Sequence, residues 1–204
     1  MKDVIIIGTG GHAKVIADIV MLSGDNLLGF LTSDTGISEF ADRPILGRDT
    51  DFSKFKEANF IIAIGNAKTR ERISGAMSGV SWYTAIHPTA VVSGLHTEIG
   101  EGTAVMANAV INPYVTIGRH CIINSNATVE HDNRISDYAH VSVGAKLAGA
   151  VQIGTRTWIG IGASVIQGIE ICDDCMVGAG AVVIRNIEQP GTYVGVPACS
   201  VKPQ

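Results

Sequence analysis

Three consecutive residues, Glu130, His131 and Asp132, carry the sharpest chemical signal in this 204-residue chain. A histidine titrates at about pH 6.5, so its neutral ring takes a proton from a nucleophile near neutral pH. A carboxylate beside it orients the imidazole and stabilises the imidazolium that forms. The same pair can equally be a solvated polar face, so its weight depends on where the fold puts it. A second signal, Gly8-Thr9-Gly10-Gly11-His12, stands between an apolar run and a helical pattern. Glycines there let a phosphate approach backbone N–H groups at a helix N-terminus.

The element that must hold His131 shows itself as a period of six. Fifteen aliphatic residues recur at every sixth position from Ile99 to Val183. Four residues after each, the side chain is usually small or short, as at Thr103, Ala109, Cys121, Ala127, Ala163 and Ala181. Neither a 3.6-residue helix nor an isolated strand alternation has this period. A coil of three short flat faces does, with eighteen residues per coil. Ile86 and Val92 share one phase, and one extra residue near Ser93 shifts the register to the later series. A coil buries about three aliphatic side chains at roughly 2 kcal/mol each. Ordering its backbone costs on the order of 18–36 kcal/mol. Only stacked coils, joined by ladder hydrogen bonds, are stable.

The eighteen-residue coil serves as a ruler. Gly149 lies eighteen residues after His131 and is expected directly above it, at a strand spacing of about 4.8 Å. Without a side chain it offers a backbone N–H to an oxygen that gains negative charge. A glycine merely tolerated at a coil corner is the plainer alternative. His140 is nine residues, half a coil, from His131, so the two cannot share one face of one coil. A second subunit could bring them together.

Residues 1–84 lack the period. Val4–Ile7 reads as a buried strand, Ala13–Leu22 as a helix with Ile16, Ile19 and Val20 inward, and Leu27–Leu31 and Phe60–Ile64 as further strands. Asn66 is placed to cap a helix over Ala67–Met77. Three or four strands alternating with helices predict a small parallel sheet. Asp34, after the second strand, is a candidate for a ribose hydroxyl, although Thr32 and Ser33 come first.

Composition narrows the classes. A net charge of -4 gives no broad footprint for nucleic acid. Apolar runs as short as Val4–Ile7 and Phe60–Ile64 cannot span a bilayer, and the start has no secretory-signal pattern, so a cytoplasmic protein is expected. Of four cysteines, Cys121 and Cys175 occupy small inward slots. Cys172 and Cys175 form a lone CxxC with no second pair, which favours a structural role and no metal.

The repeats resemble those of the hexapeptide-repeat acyltransferases. With Gly8-Thr9-Gly10-Gly11-His12 included, nearly the full length resembles the sugar acetyltransferases that carry an N-terminal nucleotide-sugar domain. Bacterial UDP-4-amino-sugar N-acetyltransferases and sialic acid O-acetyltransferase-like proteins belong to that group. The resemblance implies an α/β Rossmann-like domain over residues 1–84. A left-handed parallel β-helix with a C-terminal tail is implied over 85–204. It further implies a homotrimer with acetyl-CoA bound in clefts between subunits.

By the same resemblance His131 is the general base, Asp132 its orienting acid, and Gly149 both oxyanion donor and cofactor contact. His140 is implied near the thioester, where an interface histidine without chemistry is the alternative. Ile161, Ala163, Ala179 and Ala181 are implied in the pantetheine groove, unless they serve packing alone. Gly10, Gly11, His12, Asp34, Gly65, Asn66 and Arg70 are implied at the nucleotide sugar, and Asn124 near the sugar ring. Arg70 can also be an ordinary exposed helix residue, and Asn124 an ordinary turn residue. A sheet of three or four strands is short for a dinucleotide, so a nucleotide sugar is expected rather than NAD. In the tail Cys199 stands where many members carry a base, and Lys202 follows three residues later.

The expected activity is transfer of acetyl from acetyl-CoA to the 4-amino group of a nucleotide-linked, UDP-type sugar. O-acetylation of a sialic or related surface sugar is the rival enzyme reading. A metal-dependent hydratase would need converging histidines, and the spacings of His120, His131 and His140 do not suit one. A non-catalytic nucleotide-sugar-binding scaffold is the remaining class.

Overall fold

A computed structural model of the chain describes residues 1–201, and Lys202 lies outside the described residues. The chain divides into two compact units after Pro88. In the first unit, β1 (Asp3–Ile7) leads into α1 (Gly11–Leu22) and β2 (Asn26–Leu31). Next come β3 (Glu39–Phe40), β4 (Arg43–Gly47), a 3₁₀ turn (Asp49–Lys54), β5 (Asn59–Ile62), α2 (Ala67–Ala76) and β6 (Ser81–Trp82). The sheet order is β3-β4-β2-β1-β5-β6. All neighbours are parallel except the β3–β4 hairpin.

The six strands correct the expectation of three or four. β3 and β6 have two residues each, too short for any alternation to show. In β4 only its apolar residues Ile45 and Leu46 hint at a strand, beside Pro44. Strand number therefore no longer argues against a dinucleotide. As expected, β1 is buried along Val4–Ile7, and α1 buries Ala13, Ile16, Ala17, Ile19 and Val20; the strand expected over Phe60–Ile64 ends instead at Ile62. Asn66 caps α2, its Oδ1 accepting from the Thr69 N–H at 2.9 Å.

The chain order makes β1 the switch point of this sheet. It passes from β1 outward through β2 to β4, then returns to β5 on the other side of β1. The loops after β1, β2 and β5 consequently meet at the carboxyl edge of the strands, where open α/β sheets bind ligands.

The second unit is a parallel β-helix of two-residue strands. Residues eighteen apart pair in register, as Ile117 with Ile135, Ile123 with Val141, and Val129 with Leu147. One sheet runs from Val91–Val92 through Thr128–Val129 to Val182–Val183, and a second from Glu98–Ile99 through Arg134–Ile135 to Glu170–Ile171. A third contains Ala104–Val105, His140–Val141 and Trp158–Ile159. The extra residue near Ser93 is present, because Val92 pairs with Ile111, nineteen positions on. Of the fifteen periodic aliphatics, all but half-buried Ile99 are at most 3% exposed.

Polar residues in the small slots bond forward into the turns of the next coil. Thr103 Oγ1 donates to the Gly118 carbonyl at 2.9 Å, and Thr157 Oγ1 to that of Cys172 at 2.7 Å. Each hydroxyl also accepts an N–H eighteen residues on, from Cys121 and Cys175. Cys172 and Cys175 are free thiols with sulfurs 3.4 Å apart. Burial, together with the neighbouring Cys172, pushes the Cys175 thiol up to about 12. The tail runs parallel to the last coil at Gly191–Val194 and folds back at Cys199–Val201. Among the described residues no helix is long and apolar enough to cross a membrane.

Candidate active site

His131 sits on the turn between the Thr128–Val129 and Arg134–Ile135 strands. Val129 and Ile135 point inward, at 0% and 2% exposure, and pin the turn at both ends. Asp132 adopts the left-handed conformation (φ 61°), which Asp tolerates better than most residues. From there its Oδ2 meets His131 Nδ1 at 2.7 Å, with both side chains open to solvent. Nδ1 being engaged, Nε2 is the nitrogen left to receive a proton from a substrate. The ring lies on Gly149 in the next coil. A Cβ there would come within 2.6 Å of Cε1 and 2.7 Å of Nε2, so any larger residue would displace the imidazole from this place. The Gly149 N–H has no acceptor among the described residues.

His140 lies elsewhere, on the sheet of Ala104–Val105 and Trp158–Ile159. It is 7% exposed and packs against Trp158, with ring centroids 4.5 Å apart and the planes tilted by 33°. Asn124, expected near the sugar, places its Nδ2 at 3.1 Å from His140 Nε2. Within one chain His131 and His140 do not come together. Ile161 is 60% exposed and Ala179 is exposed on the next coil, both on turns leaving the His140 sheet. Ala163 and Ala181 are corrections: both are fully buried in the coil core and line no groove. The small side chains there answer the narrow interior, not a ligand.

The first unit has its own candidate site at the carboxyl edge of its sheet. Gly8 (φ 108°) turns the chain out of β1, and a Cβ on it would meet Ile64 at 3.0 Å. Gly10 and Gly11 face open space at the start of α1, whose first turn holds no acidic residue and no side-chain cap. That leaves the helix N-terminus available to an anion. Asp34 lines a cavity of about 480 Å³ with Thr32, Thr35, Ile45, Arg48 and Asp51. One of its carboxylate oxygens already accepts from the Gly36 N–H at 2.9 Å. Gly65 is open on the loop after β5, and Asn66 is occupied as a helix cap.

Arg70 corrects both expectations for it. It is 1% exposed, and its Nη1 donates to the carbonyls of Ile64 and Gly65 at 3.0 and 2.7 Å. It shapes the loop rather than meeting a ligand. Burial, reinforced by the Arg70 charge, lowers the pKa of His12 to about 4. Its ring is therefore neutral at physiological pH, and His12 Nε2 is buried without a partner among the described residues.

Residues 3–77 match the family model of the PglD N-terminal domain, and residues 96–131 and 150–185 match the bacterial transferase hexapeptide model. The whole chain aligns with perosamine N-acetyltransferase from Caulobacter crescentus, solved as a histidine-to-asparagine mutant with CoA and GDP-perosamine. The TM-score is 0.94 and the identity 35%, covering 100% of this chain and 98% of that one. The acetyltransferase domain of PglB from Neisseria gonorrhoeae aligns at TM-score 0.93 and 31% identity, covering 98% of this chain and 100% of that one. UDP-N-acetylbacillosamine N-acetyltransferase from Bacillus subtilis is 40% identical over 114 residues, 52% of each protein. The match thus spans about half the length of that curated relative. The chain belongs to the hexapeptide-repeat sugar N-acetyltransferases with a PglD-type N-terminal domain.

In this sugar N-acetyltransferase one residue of the His131 turn escaped the sequence reading. Asn133 is 0% exposed and occupies an inward slot where its column neighbours are Val115 and Val151. The signal was present: a polar amide in a slot that the repeat usually fills with a small or short side chain. Asn112 was missed too; its Nδ2 donates to Glu130 at 2.7 Å and steadies the same corner from the coil before.

Proposed function

We propose that this protein transfers the acetyl group of acetyl-CoA to the 4-amino group of a nucleotide-linked amino-deoxy sugar. The observation that carries the reading is the His131–Asp132 pair lying on Gly149, a base with its carboxylate beside an unpaired N–H. The sugar's neutral amine attacks the thioester carbonyl carbon, and a C–N bond forms. His131 Nε2 takes the amine proton, and Asp132 stabilises the imidazolium. The Gly149 N–H donates to the carbonyl oxygen as it becomes an oxyanion. Collapse breaks the C–S bond, and His131 returns the proton to the CoA sulfur. The products are the N-acetyl sugar and CoA, with no acyl-enzyme.

The open N-terminus of α1, with Gly10 and Gly11, binds the diphosphate. Asp34 serves the ribose, and the buried neutral His12 supplies a ring nitrogen to the same ligand. Exposed Ile161 and Ala179 flank the pantetheine arm. His140, with Asn124, reaches an active site only across a subunit interface, which makes a homotrimer part of this reading. The relatives solved with CoA and GDP-perosamine or with acetyl coenzyme A support the two substrate classes.

The test is incubation with acetyl-CoA and UDP- or GDP-linked 4-amino sugars against their 4-hydroxy counterparts, reading free CoA thiol and product mass. Acetylated amino sugar is expected. Acetylation of hydroxyl sugars alone would instead establish an O-acetyltransferase. Binding without any transfer, unchanged in His131→Ala, would leave a scaffold.

A further inference from the structure

Asn133 makes more contacts than its slot requires. Its Nδ2 donates to the Glu130 carbonyl at 2.6 Å and to the Ala148 carbonyl at 2.9 Å, and lies 3.4 Å from the carbonyl of His131. Three carbonyls around one nitrogen decide which end of the amide faces them. The other end pays for it: Oδ1 is buried and has no partner among the described residues. An orphaned buried carbonyl of this kind is destabilising, because it has given up its water without gaining a donor. Val115 and Val151, directly before and after it in the column, avoid that cost.

The Ala148 carbonyl belongs to the same peptide unit as the Gly149 N–H. That peptide is trans, so its C=O and N–H point in opposite directions. Holding the carbonyl inward on Asn133 therefore turns the Gly149 N–H outward, away from the coil core, at the residue on which the His131 ring lies. A hydrogen bond to the carbonyl also polarises the N–H of the same peptide. The bond to Glu130 meanwhile fastens the start of the turn that carries His131.

We propose that Asn133 is a positioning residue that sets the Gly149 N–H and the His131 turn against each other from within the coil. This rests on the acetyl-transfer reading above. Thr157 provides the control. It makes the same type of bond, to a carbonyl fifteen residues on, at a coil corner away from His131.

The experiment compares Asn133→Ala, Asn133→Thr and Thr157→Val in steady-state acetyl transfer and thermal unfolding. It adds the amide resonance of Gly149 in ¹⁵N-labelled protein. Asn133→Ala is expected to lower kcat about 10- to 100-fold with both KM values within about threefold, since one oxyanion donor is worth about 10²–10³ and here is misaligned, not removed. Its Gly149 amide should shift. Asn133→Thr, able to keep the Ala148 bond as Thr157 keeps its own, should recover most of kcat and the wild-type resonance. Thr157→Val should lose stability with kcat unchanged.

A kcat for Asn133→Ala within twofold of wild type, or an unmoved Gly149 amide, overturns the proposal. If Asn133→Ala does not fold, Asn133→Thr decides: a wild-type resonance supports the proposal, and a shifted one overturns it. If the wild type acetylates no amino sugar, the functional reading fails while the Gly149 resonance still tests the role of Asn133.

Discussion

Two histidines, one in each unit, meet opposite surroundings. His131 is open to solvent, bonded to a carboxylate, and packed on a bare backbone. His12 is largely buried beside a guanidinium, and its pKa falls to about 4. In the proposed reaction the base must gain and lose a proton, which calls for a partner to the positive charge, and His131 has Asp132. A ring that only offers a hydrogen bond is best kept neutral, and His12 is. The contrast teaches that residue type proposes chemistry, while the neighbours a fold supplies decide which half of it is used.

The comparison can be broken at either histidine. The largest effect is expected from His131→Asn, which removes the proton acceptor. Acetyl transfer followed by thiol release should fall by about 10³-fold, within the range for a general base, with thermal unfolding little changed. Activity within tenfold of wild type would end its assignment as the base.

His12 gives the next test. Its folded pKa lies below the unfolded value of 6.5, so the unfolded chain binds the proton first as pH falls. Its contribution is complete above about pH 6.5 and is lost toward about pH 4, on the order of 3 kcal/mol in all. Urea unfolding at pH 7 and pH 4.5 should show a smaller acid loss in His12→Gln than in wild type. Equal losses would mean that the ring is not held neutral.

Gly149→Ala sharpens the His131 side. The new methyl would sit within 2.7 Å of the ring, so the imidazole must leave its place. A kcat loss of about 100-fold is expected, comparable with losing an oxyanion donor. The smallest effect belongs to a residue with a purely local part. Asn66→Ala removes the α2 cap and should cost about 1 kcal/mol in thermal stability. A much larger loss of nucleotide-sugar affinity there would give Asn66 a second role as a ligand.

The β-helix was the more legible half. A period of six with stiff aliphatic residues leaves one way to bury them, and even the one-residue shift near Ser93 survives into the pairing of Val92 with Ile111. Counting eighteen from His131 reached Gly149 because register in a stacked coil is set by sequence distance alone. Side-chain partners were harder. Arg70 reads as a surface residue until the carbonyls of Ile64 and Gly65 are seen around it. Asn124 reads as a turn residue until its contact with His140 is seen. Ala163 and Ala181 carry one pattern whether they pack inward or line a groove, and only burial separates the two. In the first unit β3 and β6 were invisible because two residues cannot display a period.

By itself the sequence determined the coil, its register, the stacking of His131 on Gly149, and the strand–glycine–helix start of the first unit. These follow from local periodicity, which needs no knowledge of distant contacts. Only the tertiary structure decided that His12 is neutral, that Arg70 points into its own loop, and that Asn133 grips the peptide behind Gly149. Each of those depends on burial and on carbonyl directions, which the order of residues alone does not display.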